Sequence, residues 1–293
     1  MRGRILKGIG SFYTVLGEDG AEYVCRARGL FRKQGISPVP GDRVEFSLPT
    51  MKSDGYLQEI LPRKNKLVRP AVANVDSLVI VLAASSPKPD PLLLDKLLLQ
   101  CQVLGVEPIL VLNKIDEADE EACAAMLSQY AGAGAKLAYV SAHTAEGLAQ
   151  LKALLQGRVS CFAGQSAVGK SSLINALIPE LELEVGELSR KTERGKNTTR
   201  RAQLWPVFGG AIVDTPGFSL LDAQELEPSE LCKLYPEMQP YTGLCRFAEC
   251  MHIKEPDCAV KDAVSAGQIN RERYDRYVLL AEELMDMKKH KYD

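Results

Sequence analysis

Three groups of residues in this chain have types and spacings that can do chemistry. The first is Gly164-Gln165-Ser166-Ala167-Val168-Gly169-Lys170-Ser171, which fits G-x-x-x-x-G-K-[ST] at every fixed position. Glycines let a backbone turn tightly, so its N–H groups can wrap phosphate oxygens at a helix N-terminus, where the helix dipole also favours negative charge. Lys170 is expected to reach the β- and γ-phosphates and the Ser171 hydroxyl to bind Mg²⁺. Gly164 to Ser172 are therefore candidate phosphate-binding residues.

The second group selects the base. Asn113-Lys114-Ile115-Asp116 is an N-K-x-D motif. The Asp116 carboxylate can accept from both the ring N–H and the exocyclic amino group of guanine, whereas adenine sets an acceptor against it. Such a buried mismatch costs about 1–3 kcal/mol. Lys114 can lay its alkyl stem over the base, and Asn113 can bridge the base edge and the phosphate loop. Ser141-Ala142 can offer a backbone N–H to the guanine carbonyl.

Around the γ-phosphate, Asp214-Thr215-Pro216-Gly217 supplies a carboxylate for Mg²⁺ and a glycine N–H. The polar segment 184–201 reads as a first switch loop, in which either Thr198 or Thr199 can complete the Mg²⁺ shell. Phe218 stands where many GTPases carry a water-orienting glutamine, so slow intrinsic turnover is expected. The third group, Cys245-x₄-Cys250-x-His252-x₅-Cys258, offers three thiols and an imidazole for one tetrahedral, structural Zn²⁺.

These groups need elements to hold them. The apolar runs at 78–84, 108–113 and 159–163 read as strands buried on both faces, with a further strand at 137–141 and another at 211–214. Helical periods cover Pro91 to Leu104, Glu117 to Tyr130 and Ala145 to Leu155. This alternation predicts a parallel α/β sheet with ligand loops at one edge. Residues 1–67 instead show short alternating runs at 11–15, 22–28, 42–46 and 56–60, as expected of a small OB-type β-barrel. Its Arg26, Arg28, Arg32, Lys33, Arg43, Arg63, Lys64 and Lys66, interleaved with Tyr13, Tyr23 and Phe31, read as an RNA-binding surface, the alternative being a solvated rim with core aromatics. The boundaries fall at 67/68 and 222/223, giving an OB-type domain, a 68–222 α/β domain and a 223–293 mainly α zinc-binding domain with little apolar sequence around its cysteines. Its last helix, Asn270 to Lys291, carries Arg271, Arg273, Arg276, Tyr274 and Tyr277 and reads equally as an RNA contact or a solvated terminal helix.

Composition narrows the setting. With 293 residues and a formal charge of −2, a polyanion must be met by local basic patches. No apolar run reaches the roughly 18 residues of a membrane span, and the N-terminus lacks a signal peptide's apolar core, so a cytoplasmic protein with no membrane partner is expected. Of the eight cysteines, Cys25, Cys101, Cys123 and Cys161 lie in apolar stretches like free buried thiols.

The motif order is rotated, with the base motif ahead of the phosphate loop, and resembles that of the circularly permuted GTPases. With the preceding barrel and following cysteine cluster, the whole chain is similar to the ribosome small-subunit-dependent GTPase family, RsgA. That resemblance implies a P-loop fold, GTP/GDP with Mg²⁺, and one Zn²⁺. It implies a GTP hydrolase of late small-subunit maturation that binds rRNA and uses hydrolysis to time its release; a monomer is expected. Two residues depart from the family pattern. Asn197 replaces the histidine beside the switch threonines, so that Asn197, Thr198 and Thr199 are the candidate catalytic group although Asn cannot take a proton near neutral pH. Ala167 replaces a glycine common in the family's phosphate loop, a change expected to matter less because Ala tolerates most turn conformations without a positive φ. Two other readings compete: a slow-hydrolysing, GTP-controlled RNA-binding switch, and a GTPase acting on another RNA such as tRNA.

Overall fold

The computed structural model describes residues 1–29, 31, 35–50, 53–181, 202–214 and 226–289, with only the backbone of Asp214. Strands β1 (Arg2–Ile9), β2 (Phe12–Gly17), β3 (Glu22–Ala27), β4 (Arg43–Ser47) and β5 (Gly55–Ile60) close in the order β1-β2-β3-β5-β4, with β4 returning onto β1. The β3–β5 pairing is parallel and the others are antiparallel, giving a five-stranded OB-like barrel. Alternation fills it with Ile5, Val15, Cys25, Val44, Phe46 and Leu57, all fully buried. The first strand, β1, was not among the runs read from sequence. It contains a bulge that breaks its period at Leu6, so Ile5 enters the barrel while Leu6 enters the neighbouring core.

A short hairpin, β6 (Lys66–Leu67) and β7 (Val72–Ala73), seats the barrel on the α/β domain. Gly41, at φ +89°, lies so close to it that a Cβ would stand 2.0 Å from the Ala73 carbonyl oxygen. Arg63, one of the basic residues read as RNA-facing, instead makes a two-pronged bond to the fully buried Asp42, at 2.6 and 2.8 Å. Phe31 is a buried barrel residue, and Tyr13 and Tyr23 pack against the same core, while Phe12 and Tyr56 are the exposed barrel aromatics.

The central sheet contains β8 (Ser77–Ala83), β9 (Glu107–Asn113), β10 (Lys136–Tyr139), β11 (Val159–Ala163), β12 (Gln203–Val207) and β13 (Gly210–Asp214), in the order β10-β9-β8-β11-β13-β12. All but β12, an antiparallel edge strand, run parallel. Helices α1 (Pro91–Leu104) and α2 (Glu120–Ser128) cover one face, and α3 (Leu148–Leu155) and α4 (Lys170–Leu177) the other. Helix α1 has the expected limits because its stop signals are strong: Asp90 caps it, Pro91 opens it and Gly105 at φ +61° ends it. Helices α2 and α3 are shorter than expected. Asp119 caps α2 after a separate turn at Ile115–Glu117, and Gly147 stands outside α3 as its cap because its φ of +71° is left-handed, at a spot where a Cβ would meet the Tyr139 carbonyl oxygen at 1.9 Å. Gly157 at φ +70° turns the end of α3 into β11, which is the joint that a rotated motif order requires.

The last module, residues 226–289, contains α5 (Ala259–Ser265) and α6 (Arg271–Lys289). Against the expectation of little apolar sequence, it has a core in which Tyr235, Met238, Val260, Tyr277 and Ala281 are fully buried, extended by Leu99 of α1. Helix α6 is part of this core. Tyr274 and Tyr277 face inward and Arg273 is only 2% exposed, so these residues are neither a solvated helix face nor available to RNA. Their apolar partners come from α5, from residues 231–238 and from Leu99 of α1, which a helical period cannot reveal.

Candidate functional site

Because β10, β9, β8, β11 and β13 are adjacent and parallel, their carboxyl ends share one edge. Ser141-Ala142, Asn113–Asp116, the Gly164–Ser171 loop and Asp214 therefore lie side by side, although they come from segments up to about a hundred positions apart. Sheet edges of this kind are where α/β proteins bind ligands.

The phosphate loop connects β11 to α4. Gly164 has φ +133° and passes so close to β8 that a Cβ would meet the Val81 oxygen at 2.3 Å. Gly169 has φ +91° and touches Asn113, whose Nδ2 would lie 2.4 Å from a Cβ. Both positions require glycine. Ala167 also sits in the left-handed region, at φ +65°. This corrects the expectation for that substitution: the loop does require a positive φ, and the added Cβ costs about 1–2 kcal/mol there. Lys170 Nζ bridges the carbonyls of Gly164, at 2.7 Å, and Gln165 across the loop. Burial lowers its pKa from the ordinary value, and a neighbouring phosphate would favour its charged form.

Asn113, 1% exposed, ties two loops together. Its Nδ2 donates to the Val168 carbonyl at 3.0 Å and its Oδ1 accepts from the Ala142 N–H at 3.1 Å. The Ala142 amide expected at the guanine carbonyl is thus engaged within the protein, and the Ser141 amide donates to Glu146. Ser141 acts through its side chain. Its hydroxyl oxygen accepts from the amides of His143 and Thr144, and the hydroxyl beside Asp116 holds that carboxyl below the usual range. Asp116 therefore stays ionised to lower pH than a free aspartate. His143, missed from sequence, brings Nδ1 within 3.6 Å of Asp116 Oδ2. Lys114, at φ +65°, directs its ammonium to the Ser86 carbonyl at 2.5 Å, so the loop after β8 also borders the site.

Asn197, Thr198, Thr199, Gly217 and Phe218 lie outside the described residues. Only the backbone of Asp214, at the end of β13, is described.

The cysteine cluster assembles. The ligand atoms of Cys245, Cys250, His252 and Cys258 all lie within 4.8 Å of one another. A tetrahedral Zn²⁺ with its usual bond lengths needs S···S edges of about 3.8 Å and S···N edges of about 3.6 Å. The observed Cys245–Cys258 edge is 3.8 Å, and His252 Nδ1 lies 3.5 and 3.3 Å from the Cys245 and Cys258 sulfurs. The donor set thus fits zinc. Supporting bonds orient it: Tyr274 and Tyr277 donate to the carbonyls of His252 and Met251 at 2.7 and 2.6 Å. Glu255 accepts from the amides of Met251, Ile253 and Lys254.

A family model described as the RsgA GTPase matches residues 60–224, and one described as the RsgA N-terminal domain matches residues 2–57. The small ribosomal subunit biogenesis GTPase RsgA of Caldanaerobacter subterraneus subsp. tengcongensis is 44% identical over 293 residues, which cover 100% of this chain and 98% of that protein. The protein of the same name from Moorella thermoacetica is 46% identical over 286 residues, covering 97% and 98%. YjeQ from Thermotoga maritima superposes with a TM-score of 0.85 at 37% identity, over 97% of this chain and 98% of its own. YloQ, a circularly permuted GTPase, gives 0.83 at 35%, over 98% and 95%. With phosphate loop, base motif and OB-like barrel in the places these matches span, the chain belongs to the RsgA GTPase family and is a GTP-hydrolysing enzyme with a circularly permuted P-loop domain.

Proposed function

We propose that this enzyme binds GTP between Asn113–Asp116 and Gly164–Ser172, with Mg²⁺ held by Ser171 and Asp214, and hydrolyses it on the small ribosomal subunit during late maturation. The observation that supports this reading is the shared carboxyl edge of five parallel strands, at which the segments read as base, phosphate and Mg²⁺ motifs all end. The units are 1–67, 68–222 and 223–293. The barrel contacts rRNA in the cytoplasm as a monomer, and hydrolysis times release. On the barrel, Arg26 lies 4.6 Å over the exposed Phe12 ring, a pairing suited to a base and its phosphate. One structural Zn²⁺ on Cys245, Cys250, His252 and Cys258 supplies fixed charge and cross-linking in the last module.

Within this reading Asp116 accepts from the guanine edge, Lys114 covers the base, and Asn113 holds the two loops in register. Gly217 and one of Thr198 and Thr199 sense the γ-phosphate. Among the described residues, no helix is long and apolar enough to cross a membrane. The test is single-turnover GTP hydrolysis with and without purified small subunits, repeated with the Asn197→His variant. Acceleration by subunits is expected. Its absence sinks the subunit-dependent role and leaves the slow RNA-binding switch, which Asn197 favours. Acceleration by tRNA instead identifies a different RNA partner.

A further inference from the structure

Helix α1 stands between the phosphate loop and the zinc module and is bonded to both. At its start, the Asp90 N–H donates to the side-chain oxygen of the phosphate-loop residue Gln165 at 3.2 Å, while the Asp90 carboxylate caps the amides of Leu92 and Leu93. Five residues on, about 7.5 Å along the axis, the Asp95 carboxylate is fully buried. It accepts from Arg273 and Arg276 of α6. Arg273 also donates to Glu237, and Arg276 donates to Gln129 at 3.0 Å and Tyr130 at 3.3 Å. Helix α6 in turn supports the zinc loop through Tyr274 and Tyr277.

Two guanidiniums and two carboxylates at this depth specify position more than they add strength, since apolar side chains of similar volume commonly serve as well energetically. Sliding α6 along α1 would break the two-guanidinium arrangement on Asp95, whereas Glu237, in the same module as Arg273, would move with it. The module therefore holds one register against α1, and a displacement of the module is passed to the helix whose N-cap residue, Asp90, bonds Gln165.

We propose that α1 couples the zinc module to the phosphate loop, with Gln165 as a positioning residue, so that loosening the module changes affinity for guanine nucleotide. By linkage, bound nucleotide changes the restraint on the module to the same extent. The coupling rests on the reading of the phosphate loop as a guanine-nucleotide site, and its route uses no residue of the switch segments.

The test uses the zinc-loaded full chain and a fluorescent GDP analogue. Gln165→Ala is expected to weaken binding about two- to tenfold, the range for one lost hydrogen bond. Arg276→Met, remote from the phosphate loop in sequence and bonded to none of its residues, is expected to shift the same Kd by about threefold or more. The double variant should lie within about twofold of the more affected single variant, because both break one connection. An Arg276→Met protein that is folded, retains its zinc and binds with the parent's Kd overturns the proposal. Should that variant not fold, hydrogen exchange over residues 271–284 decides. GDP should slow exchange in the parent and not in Gln165→Ala; no slowing in the parent, or equal slowing in the variant, overturns the coupling. A parent that binds no guanine nucleotide sinks the nucleotide reading, and the coupling with it.

Discussion

Replacing Arg273 with methionine tests what the buried charges contribute. Arg273 is 2% exposed and joins Asp95, fully buried, to Glu237, which is 7% exposed at its side chain. Its guanidinium carbon also lies 5.4 Å from the Tyr130 ring centre and 4.9 Å from that of Tyr235. Methionine keeps much of the apolar stem and removes the charge. Asp95 then retains Arg276, but Glu237 loses the cation on Oε1, and its Oε2 already has no protein partner. Breaking a buried pair by removing one member costs about 3–5 kcal/mol. For a unit the size of the last module, each kcal/mol moves the midpoint by about 4–8 °C, so its transition should fall by about 12 °C or more. Scanning calorimetry of the zinc-loaded chain measures this, with the α/β domain's transition as the internal reference. A fall below about 4 °C, less than about 1 kcal/mol on the same scale, would refute the reasoning, because it would mean that the carboxylates are satisfied without Arg273. The complementary variant replaces all four charges, Asp95→Leu with Glu237→Met, Arg273→Met and Arg276→Leu. It should recover most of the lost stability, since fully apolar replacements of buried ion clusters are often neutral or stabilising.

Smaller perturbations probe the two sites. Ala167→Gly should stabilise the α/β domain by on the order of 1 kcal/mol or less, the relief of a positive φ set against the added freedom of the unfolded chain; a loss of stability in urea unfolding would contradict strain at φ +65°. Ser141→Ala removes the hydroxyl that holds Asp116 below the usual carboxylate range. Since a depressed carboxyl supports binding above its folded pKa and loses it as pH falls through that value, the variant's GDP affinity should begin to fall at a higher pH than the parent's. Identical pH profiles would remove Ser141 from that role. Cys250→Ser should lower the zinc content and the midpoint of the last module, and an unchanged metal count by elemental analysis would refute the four-ligand site.

The nucleotide chemistry was legible in the chain because its motifs are short and local. Gly164 to Ser171 and Asn113 to Asp116 each act through neighbouring backbone and a fixed spacing, and buried parallel strands announce themselves as continuous apolar runs. Strong local stops made α1 readable to the residue, whereas α2 and α3 were cut short by a cap and by the left-handed φ of Gly147.

What required the folded chain was the use to which polar residues are put. Arg63, Arg273 and Arg276 look like solvent-facing cations in sequence, yet each is paired with a buried carboxylate distant in the chain. Asn113 and Ala142 look like base contacts and are joined to each other. Ala167 looks like a mild substitution until its φ is known. The sequence by itself pointed to a guanine-nucleotide enzyme and to a four-ligand cluster compatible with zinc, since pattern and spacing suffice for both. Only the tertiary structure decided which charges face solvent and which fasten the zinc module to α1, because a charge's role depends on the burial and partners supplied by distant segments.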